Sequence, residues 1–128
     1  MGWYDMIRQV INVRHYWKVI VYYNIDYDFW HIIQRDIDNY TPPVERNVVK
    51  QSMQSSAKAF TISNTSKHIS IVGFNKHDDE LDYINSIVHE AEHIKQAMLK
   101  AYNIDESGEP PANTVAYLVE KMLQVFII

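Results

Sequence analysis

Residues 79–102 read DELDYINSIVHEAEHIKQAMLKAY, and their apolar side chains recur at the three- and four-residue spacing of one helix face. Asp78 and Asp79 come just before the first apolar position, where a carboxylate can accept hydrogen bonds from the amides that open a helix. The pattern therefore predicts an amphipathic helix from about residue 79 to residue 102. Its expected apolar stripe consists of Leu81, Ile84, Ile87, Val88, Ala91, Ile94, Ala97 and Met98.

A metal-binding motif lies inside this predicted helix, because residues 89–93 (HEAEH) read H-E-x-x-H. His89 and His93 are four residues apart and share one helix face, so both imidazoles can reach a single ion. Zinc binds imidazole nitrogen readily, and a catalytic zinc site adds a third protein ligand and an open position for water. Glu90 stands where its carboxylate can take a proton from that water. The alternative is a helix whose histidines are half-buried and hydrogen-bonded, with Glu90 and Glu92 solvated.

Length, cysteine content and net charge exclude several classes of ligand and partner. The 128 residues predict a single domain spanning 1–128 with its own core, and they contain no cysteine. Any zinc must therefore be held by histidine and carboxylate side chains, and the absence of cysteine fits a reducing compartment. A net charge of −4 and a pI near 5.8 give no electrostatic footprint for nucleic acid. The sequence has no secretory signal and no apolar run of membrane-spanning length, so we expect neither nucleic acid nor a membrane as a partner.

The rest of the chain predicts an α+β domain with the element order β-α-α-β-β-α-α. Residues 17–25 (WKVIVYYNI) indicate a strand covered on both faces, because β-branched and aromatic side chains occur at both odd and even positions. In residues 68–74, isoleucines alternate with His68 and Ser70, which predicts a strand with one wet face. The other expected elements are helices over 26–38 and 43–56, a strand over 60–62, a polar turn over 64–67, and a final helix from Pro110 to the end.

The zinc site needs a third donor, because two histidines alone hold the ion weakly. The final helix offers Glu109 and Glu120, which share a predicted face with Ala112 and Ala116. In a tight antiparallel hairpin, a residue about ten positions into the second helix lies opposite the two histidines, and this geometry favours Glu120. Structural roles are open to both carboxylates: Glu109 suits the first turn of a helix, and Glu120 suits a pair with a nearby lysine.

The last third of the chain carries a family resemblance. Residues 86–123 (SIVHEAEHIKQAMLKAYNIDESGEPPANTVAYLVEKML) resemble the small HExxH-plus-glutamate metallopeptidase-like proteins of phages and mobile elements, which look like minimal gluzincins. In that family the HExxH helix is followed by a helix that opens on Gly-Glu, and this chain supplies Gly108-Glu109. Ala112-Asn113 and Tyr117-Leu118 match later positions, although the family usually has an aromatic residue where Asn113 stands.

The resemblance has implications for fold and ligands. It implies a small zincin-like α+β domain with a short mixed or antiparallel sheet packed on helices, and with the HExxH helix adjacent to the C-terminal helix. It also implies Zn2+ as the cofactor, bound by His89, His93 and Glu109. Resemblance therefore favours Glu109 as the third ligand, whereas helix geometry alone favours Glu120.

These residues together predict a zinc-dependent peptidase. Zinc on His89, His93 and Glu109 would lower the pKa of its bound water. Glu90 would accept the proton as the water attacks a carbonyl, and would then pass it to the leaving amine. Residues 68–74 resemble the edge strand that pairs with an extended peptide in zincins, so the expected partner is a peptide or protein substrate.

Further side chains are candidates around such a site. Tyr117 or Tyr102 could donate a hydrogen bond to a tetrahedral oxyanion, although both also fit core tyrosines with their hydroxyls at the surface. His68 and His77 precede the motif helix and could approach it, although isolated histidines are usually surface residues.

A structural protein is the competing class. A virion or tail-associated assembly component could keep the zinc site for stability alone, because a metal that binds only the folded state adds its binding free energy to folding. Phage structural proteins would then be the partners. The expected location is the cytoplasm of a host cell or the virion. A closed or blocked metal site would favour this class, and an open site facing a groove would favour the peptidase.

Overall fold

A computed structural model describes residues 5–13, 17–41, 43–102 and 109–126, with the backbone alone described for 43–47 and 109–112. The described chain is an α+β fold, which confirms the predicted class. Its strands are β1 (Ile7–Val13), β2 (Trp17–Tyr23), β3 (Ala59–Asn64) and β4 (Ile69–Phe74). Its α-helices are α1 (Trp30–Tyr40), α2 (Pro43–Ser55), α3 (Glu80–Tyr102) and α4 (Glu109–Leu123), with short 3-10 turns at Tyr27–Phe29 and Gln124–Phe126.

The strands form a mixed sheet in the order β1-β2-β4-β3. β1 and β2 are antiparallel, β2 and β4 are parallel, and β4 and β3 are antiparallel. The prediction that residues 68–74 form an edge strand with one wet face is wrong, because β4 is paired on both sides and all its residues are buried. Helices cover both faces of the sheet, so its polar Ser70 is buried and accepts a hydrogen bond from Trp17 Nε1 at 2.9 Å.

The predicted element order omitted β1, so the observed order begins with two strands. The signal was present in the sequence, since Ile7, Ile11 and Val13 point to one face and alternate with the exposed Arg8 and Asn12. β1 lies at one edge of the sheet and pairs only with β2 among the described strands. The other edge of the sheet is β3.

The core has two halves, one on each face of the sheet. On one face, α3 and α4 pack side by side on β1, β2 and β4, as predicted for the motif helix and the C-terminal helix. On the other face, α1 and α2 cover β2, β3 and β4. The first half is built mainly on Val19, Val21, Tyr23, Phe74, Ile87, Ala91, Ile94, Leu118 and Met122. Each large apolar side chain buried in this way stabilises the fold by about 1.5–3 kcal/mol relative to its exposed state.

Helix α4 lies above β1, far from the β3 edge. Gln9 Nε2 donates to the carbonyl of Lys121 at 2.9 Å, and the Tyr117 hydroxyl donates to the carbonyl of Asn12 at 3.4 Å. Because β1 and β3 are opposite edges of the sheet, α4 and β3 flank α3 from opposite sides. None of the described helices is long and apolar enough to cross a membrane.

Candidate metal centre

The two motif histidines meet on the solvent side of α3. Their Nε2 atoms lie 3.1 Å apart, and the two rings are nearly perpendicular. Two ligands of a tetrahedral zinc ion, each bound at about 2.0–2.1 Å, lie roughly 3.3 Å apart. The pair is thus already spaced as two zinc ligands would be. Both histidine side chains are exposed, so water can reach the pair.

Glu90 is buried at the base of this pair. Its side chain is 7% exposed, whereas that of His89 is 70% exposed. One carboxylate oxygen, Oε1, accepts a hydrogen bond from Thr61 Oγ1 at 2.8 Å, and the other, Oε2, lies 3.9 Å from His89 Nε2. The hydroxyl of β3 therefore fixes the carboxylate and leaves one oxygen directed towards the histidines.

The burial expected in the alternative interpretation of the motif, with half-buried histidines and a solvated Glu90, is wrong, whereas its hydrogen-bonded histidines agree with the contact between His89 and His93. His89 and His93 are exposed and Glu90 is buried, which is the reverse of that expectation. Glu92 is partly exposed and forms an ion pair with Lys95 one turn further along. Glu92 therefore has a surface role, and the buried carboxylate of the motif is Glu90.

The third ligand is the part of the predicted set that the described residues do not supply. His89, Glu90 and His93 form a cluster whose potential ligand atoms lie within 4.8 Å of one another, and Glu120 does not belong to it. Glu120 and Ala116 are both exposed, so the face predicted to meet the motif helix points to solvent at these positions. Glu109 begins α4, and its side chain lies outside the described residues, so its role as a ligand stays a prediction.

A cleft of about 420 Å3 opens between α3 and the start of β3. Its lining residues are Lys58, Ala59, Asn85, Ser86, His89 and Glu90. Lys58 donates a hydrogen bond to Asp82 at the edge of the cleft, and this contact lowers the pKa of the Asp82 carboxyl. His89 and Glu90 therefore border a space that is open to solvent.

The outer edge of β3 lies beside this cleft, and no described strand pairs with it. The amide of Asn75 donates to the carbonyl of Lys58 at 2.9 Å, so this residue pair is hydrogen-bonded. Hydrogen-bonded and non-hydrogen-bonded pairs alternate along an antiparallel ladder. The backbone groups of Ala59, Thr61 and Ser63 consequently point away from β4, towards an edge that no described strand covers.

The other predicted site residues lie elsewhere. The Tyr117 hydroxyl contacts β1, as described above, and the Tyr102 hydroxyl is 3.2 Å from His68 Nδ1. His68 also stacks on Trp17 and has a φ of 54°, in the turn that precedes β4. None of these three residues lines the cleft. His77 does approach it, because His77 Nε2 lies 2.8 Å from the hydroxyl of the lining residue Ser86.

Two contributors to the site were missed by sequence reasoning. Thr61 was placed in a short strand without a role, and Ser86 was not singled out. The contact between Thr61 and Glu90 spans 29 residues and depends on the position of β3 at the sheet edge, so local spacing carries no signal for it. The position of Ser86, three residues before His89, did place it on nearly the same helix face.

No protein-family model matches this sequence, and comparisons with curated proteins and with solved structures find no similar protein. The resemblance to small HExxH metallopeptidase-like proteins therefore stays a prediction, as does the phage setting that it implies.

Proposed function

We propose that this protein is a zinc-dependent peptidase in which His89 and His93 hold the metal and Glu90 is the general base. The observation that carries this proposal is the 3.1 Å spacing of the two Nε2 atoms above a buried, hydrogen-bonded Glu90 carboxylate. A buried carboxylate costs free energy unless it is hydrogen-bonded.

Each side chain has a definite part in the reaction. Bound zinc would polarise the scissile carbonyl and make the attacking water acidic. Thr61 holds Oε1 of Glu90, so that Oε2 faces the histidine pair and can accept the proton of the water. Glu90 then delivers this proton to the leaving amine, which separates as a neutral group.

The edge of β3 supports a proposal for the class of substrate. An extended peptide could pair with the outward backbone groups of Ala59, Thr61 and Ser63, with its carbonyl carried past His89 in the cleft. Backbone pairing gives affinity with little sequence selectivity. We therefore propose a peptide or protein substrate in extended conformation, met in the cytoplasm of a host cell or at a virion.

The metal ligands are tested by zinc content. Elemental analysis should find close to one zinc per wild-type chain, loss in His93→Ala and Glu109→Ala, and retention in Glu120→Ala. Glu120→Ala is the matched control, because it removes a carboxylate from the same helix. Loss of zinc in Glu120→Ala but not in Glu109→Ala would reverse the choice of third ligand. Full zinc content in His93→Ala would refute the metal centre.

Catalysis is tested separately with Glu90→Gln, since an amide keeps the size and the hydrogen bond to Thr61 but cannot act as a base. We expect Glu90→Gln to retain zinc and to lose cleavage of a quenched fluorescent peptide library by about 10²–10⁴-fold. A wild-type protein that binds zinc but cleaves no peptide in such a library would instead indicate an assembly protein that keeps the metal for stability.

A further inference from the structure

His77 is held in one orientation by contacts on three sides. Its Nδ1 lies 2.7 Å from the carbonyl oxygen of Asn75, and its Nε2 lies 2.8 Å from Ser86 Oγ. Its ring stacks on Tyr83, with the ring centroids 4.3 Å apart. Tyr83 is itself buried and fixed, because its hydroxyl accepts a hydrogen bond from the amide of Asn24 at 3.2 Å.

These contacts define which nitrogen of His77 carries the proton. A carbonyl oxygen can only accept a hydrogen bond, so Nδ1 must be the donor to Asn75. In the neutral imidazole, Nε2 is then the acceptor, and the hydroxyl of Ser86 donates to it. A serine hydroxyl that donates to an oriented histidine, which in turn donates to a third group, is the arrangement that activates a serine nucleophile.

Ser86 also has access to a substrate, since it lines the cleft of about 420 Å3 between α3 and β3. Asn85 and Lys58 line the same cleft and carry hydrogen-bond donors. Donors of this kind stabilise the negative charge that develops on a carbonyl oxygen under attack. The nucleophile and two candidate oxyanion donors therefore line the cleft together with His89, and the base His77 contacts the nucleophile.

We propose that Ser86 and His77 form a nucleophile–base pair that hydrolyses small carboxylic esters without a metal. This activity is independent of the proposed peptidase, because it uses neither the histidine pair nor Glu90. The third group is a neutral backbone carbonyl rather than a carboxylate, so the pair suits activated esters with good leaving groups better than amides.

The reaction proceeds in two balanced steps. Ser86 Oγ bonds to the ester carbonyl carbon as its proton passes to His77 Nε2, and the acyl C–O bond then breaks as that proton goes to the leaving alcohol. In the second step, water gives a proton to His77 and bonds to the acyl carbon. The bond to Ser86 Oγ breaks, and the oxygen recovers its proton from His77.

The test uses the full chain, p-nitrophenyl acetate and a chelator. We expect release of p-nitrophenol with the chelator present, and an added acetyl group on the peptide that contains Ser86, detected by mass spectrometry after acid quenching. Ser86→Ala and His77→Gln should each lower the rate at least about tenfold, since general-base and nucleophile contributions are usually larger than this. His77→Gln keeps a donor for Asn75, so that a loss of rate reports the base and not the scaffold.

The matched control is Ser66→Ala, which removes an exposed serine from the turn before β4 and should leave the rate of p-nitrophenol release unchanged. Circular dichroism is used to check that each variant is folded. Acetylation confined to lysines, or a rate unchanged in Ser86→Ala, would overturn the proposal. Zinc content of Ser86→Ala is measured in parallel and should equal that of the wild type, so that failure of this activity and failure of the peptidase are separate results.

Discussion

At the residue scale, the site depends on a hydrogen bond between a strand and a helix. Thr61 Oγ1 donates to Glu90 Oε1 at 2.8 Å, and Glu90 is 6% exposed. Removal of one partner of a buried polar pair costs more than the pair contributes, because the remaining group loses water without compensation. The pair therefore connects the stability of the fold with the orientation of the proposed base.

We expect Thr61→Val to lower the free energy of unfolding by about 1–3 kcal/mol, since valine keeps the shape and strand propensity but leaves Oε1 of Glu90 without its donor. Urea denaturation followed by circular dichroism measures the change. The same substitution in a Glu90→Leu background should cost less, because no buried carboxylate remains to be satisfied. Equal losses in the two backgrounds would show that the hydrogen bond is not the cause.

A second polar cluster lies on the opposite face of the sheet, far from the cleft. Arg8 Nε donates to Asp36 Oδ2 at 3.1 Å, and the Tyr22 hydroxyl also donates to Asp36. Burial, together with the hydrogen bond to Asp36, raises the pKa of Tyr22 from 10.0 to about 12. Burial also raises the pKa values of Tyr23 and Tyr83.

These shifts predict alkaline unfolding with a definite sign. A pKa that is higher in the folded chain means that folding favours the protonated phenol, so this contribution is complete below pH 10 and is lost as the pH rises towards 12. We expect the urea midpoint to fall over that window. Tyr22→Phe should show a shallower decline, because it has no phenol to ionise at this position. An unchanged slope in Tyr22→Phe would assign the effect to other groups.

At the element scale, a glycine of β4 leaves room for an aromatic ring of β3. A Cβ atom on Gly73 would lie 2.2 Å from Phe60 Cε1 and 3.0 Å from Ile25 Cδ1. Phe60 is the cross-strand partner of Gly73, so its ring occupies the space that the missing side chain leaves. The ring of Phe60 on the edge strand thus packs over Gly73 of the neighbouring strand.

Gly73→Ala should therefore lower the free energy of unfolding by about 1–3 kcal/mol, as expected when a well-packed site is overfilled. Thermal unfolding followed by circular dichroism measures this change. In the double variant Gly73→Ala/Phe60→Leu, the smaller side chain relieves the clash, so the loss should be less than the sum of the two single losses. Strict additivity would contradict the proposed contact.

Only some elements of the fold carry their own signal in the sequence. The range of α3 was predictable because its periodicity extends over 23 residues, and the two faces of β2 were predictable because both parities are apolar. The burial of both faces of β4 was not predictable. Alternation along one strand indicates which side chains share a face but not what covers that face. The histidine pair followed from spacing within one helix, whereas the fixing of Glu90 by Thr61 required knowledge of the sheet order.

At the scale of the whole molecule, metal binding should be linked to folding. An ion that binds only the native chain stabilises it by about 2.7 kcal/mol when its free concentration is 100 times the dissociation constant. We expect added zinc to raise the unfolding midpoint of the wild type and to leave that of His93→Ala unchanged. His31→Ala is the matched control, because His31 is an exposed histidine on α1 and its loss should preserve the response. A shift of equal size in His93→Ala would place the bound zinc elsewhere.

The two-sided architecture has a practical consequence. Helices α1 and α2 cover the face of the sheet that is turned away from α3, and the sequence contains no cysteine. A His31→Cys substitution on α1 would therefore introduce the sole thiol of the molecule, with the thickness of the sheet between it and the cleft. A fluorescent dye or a surface tether attached at that thiol would leave the opening unobstructed, so that single molecules could be immobilised and followed as they meet a ligand.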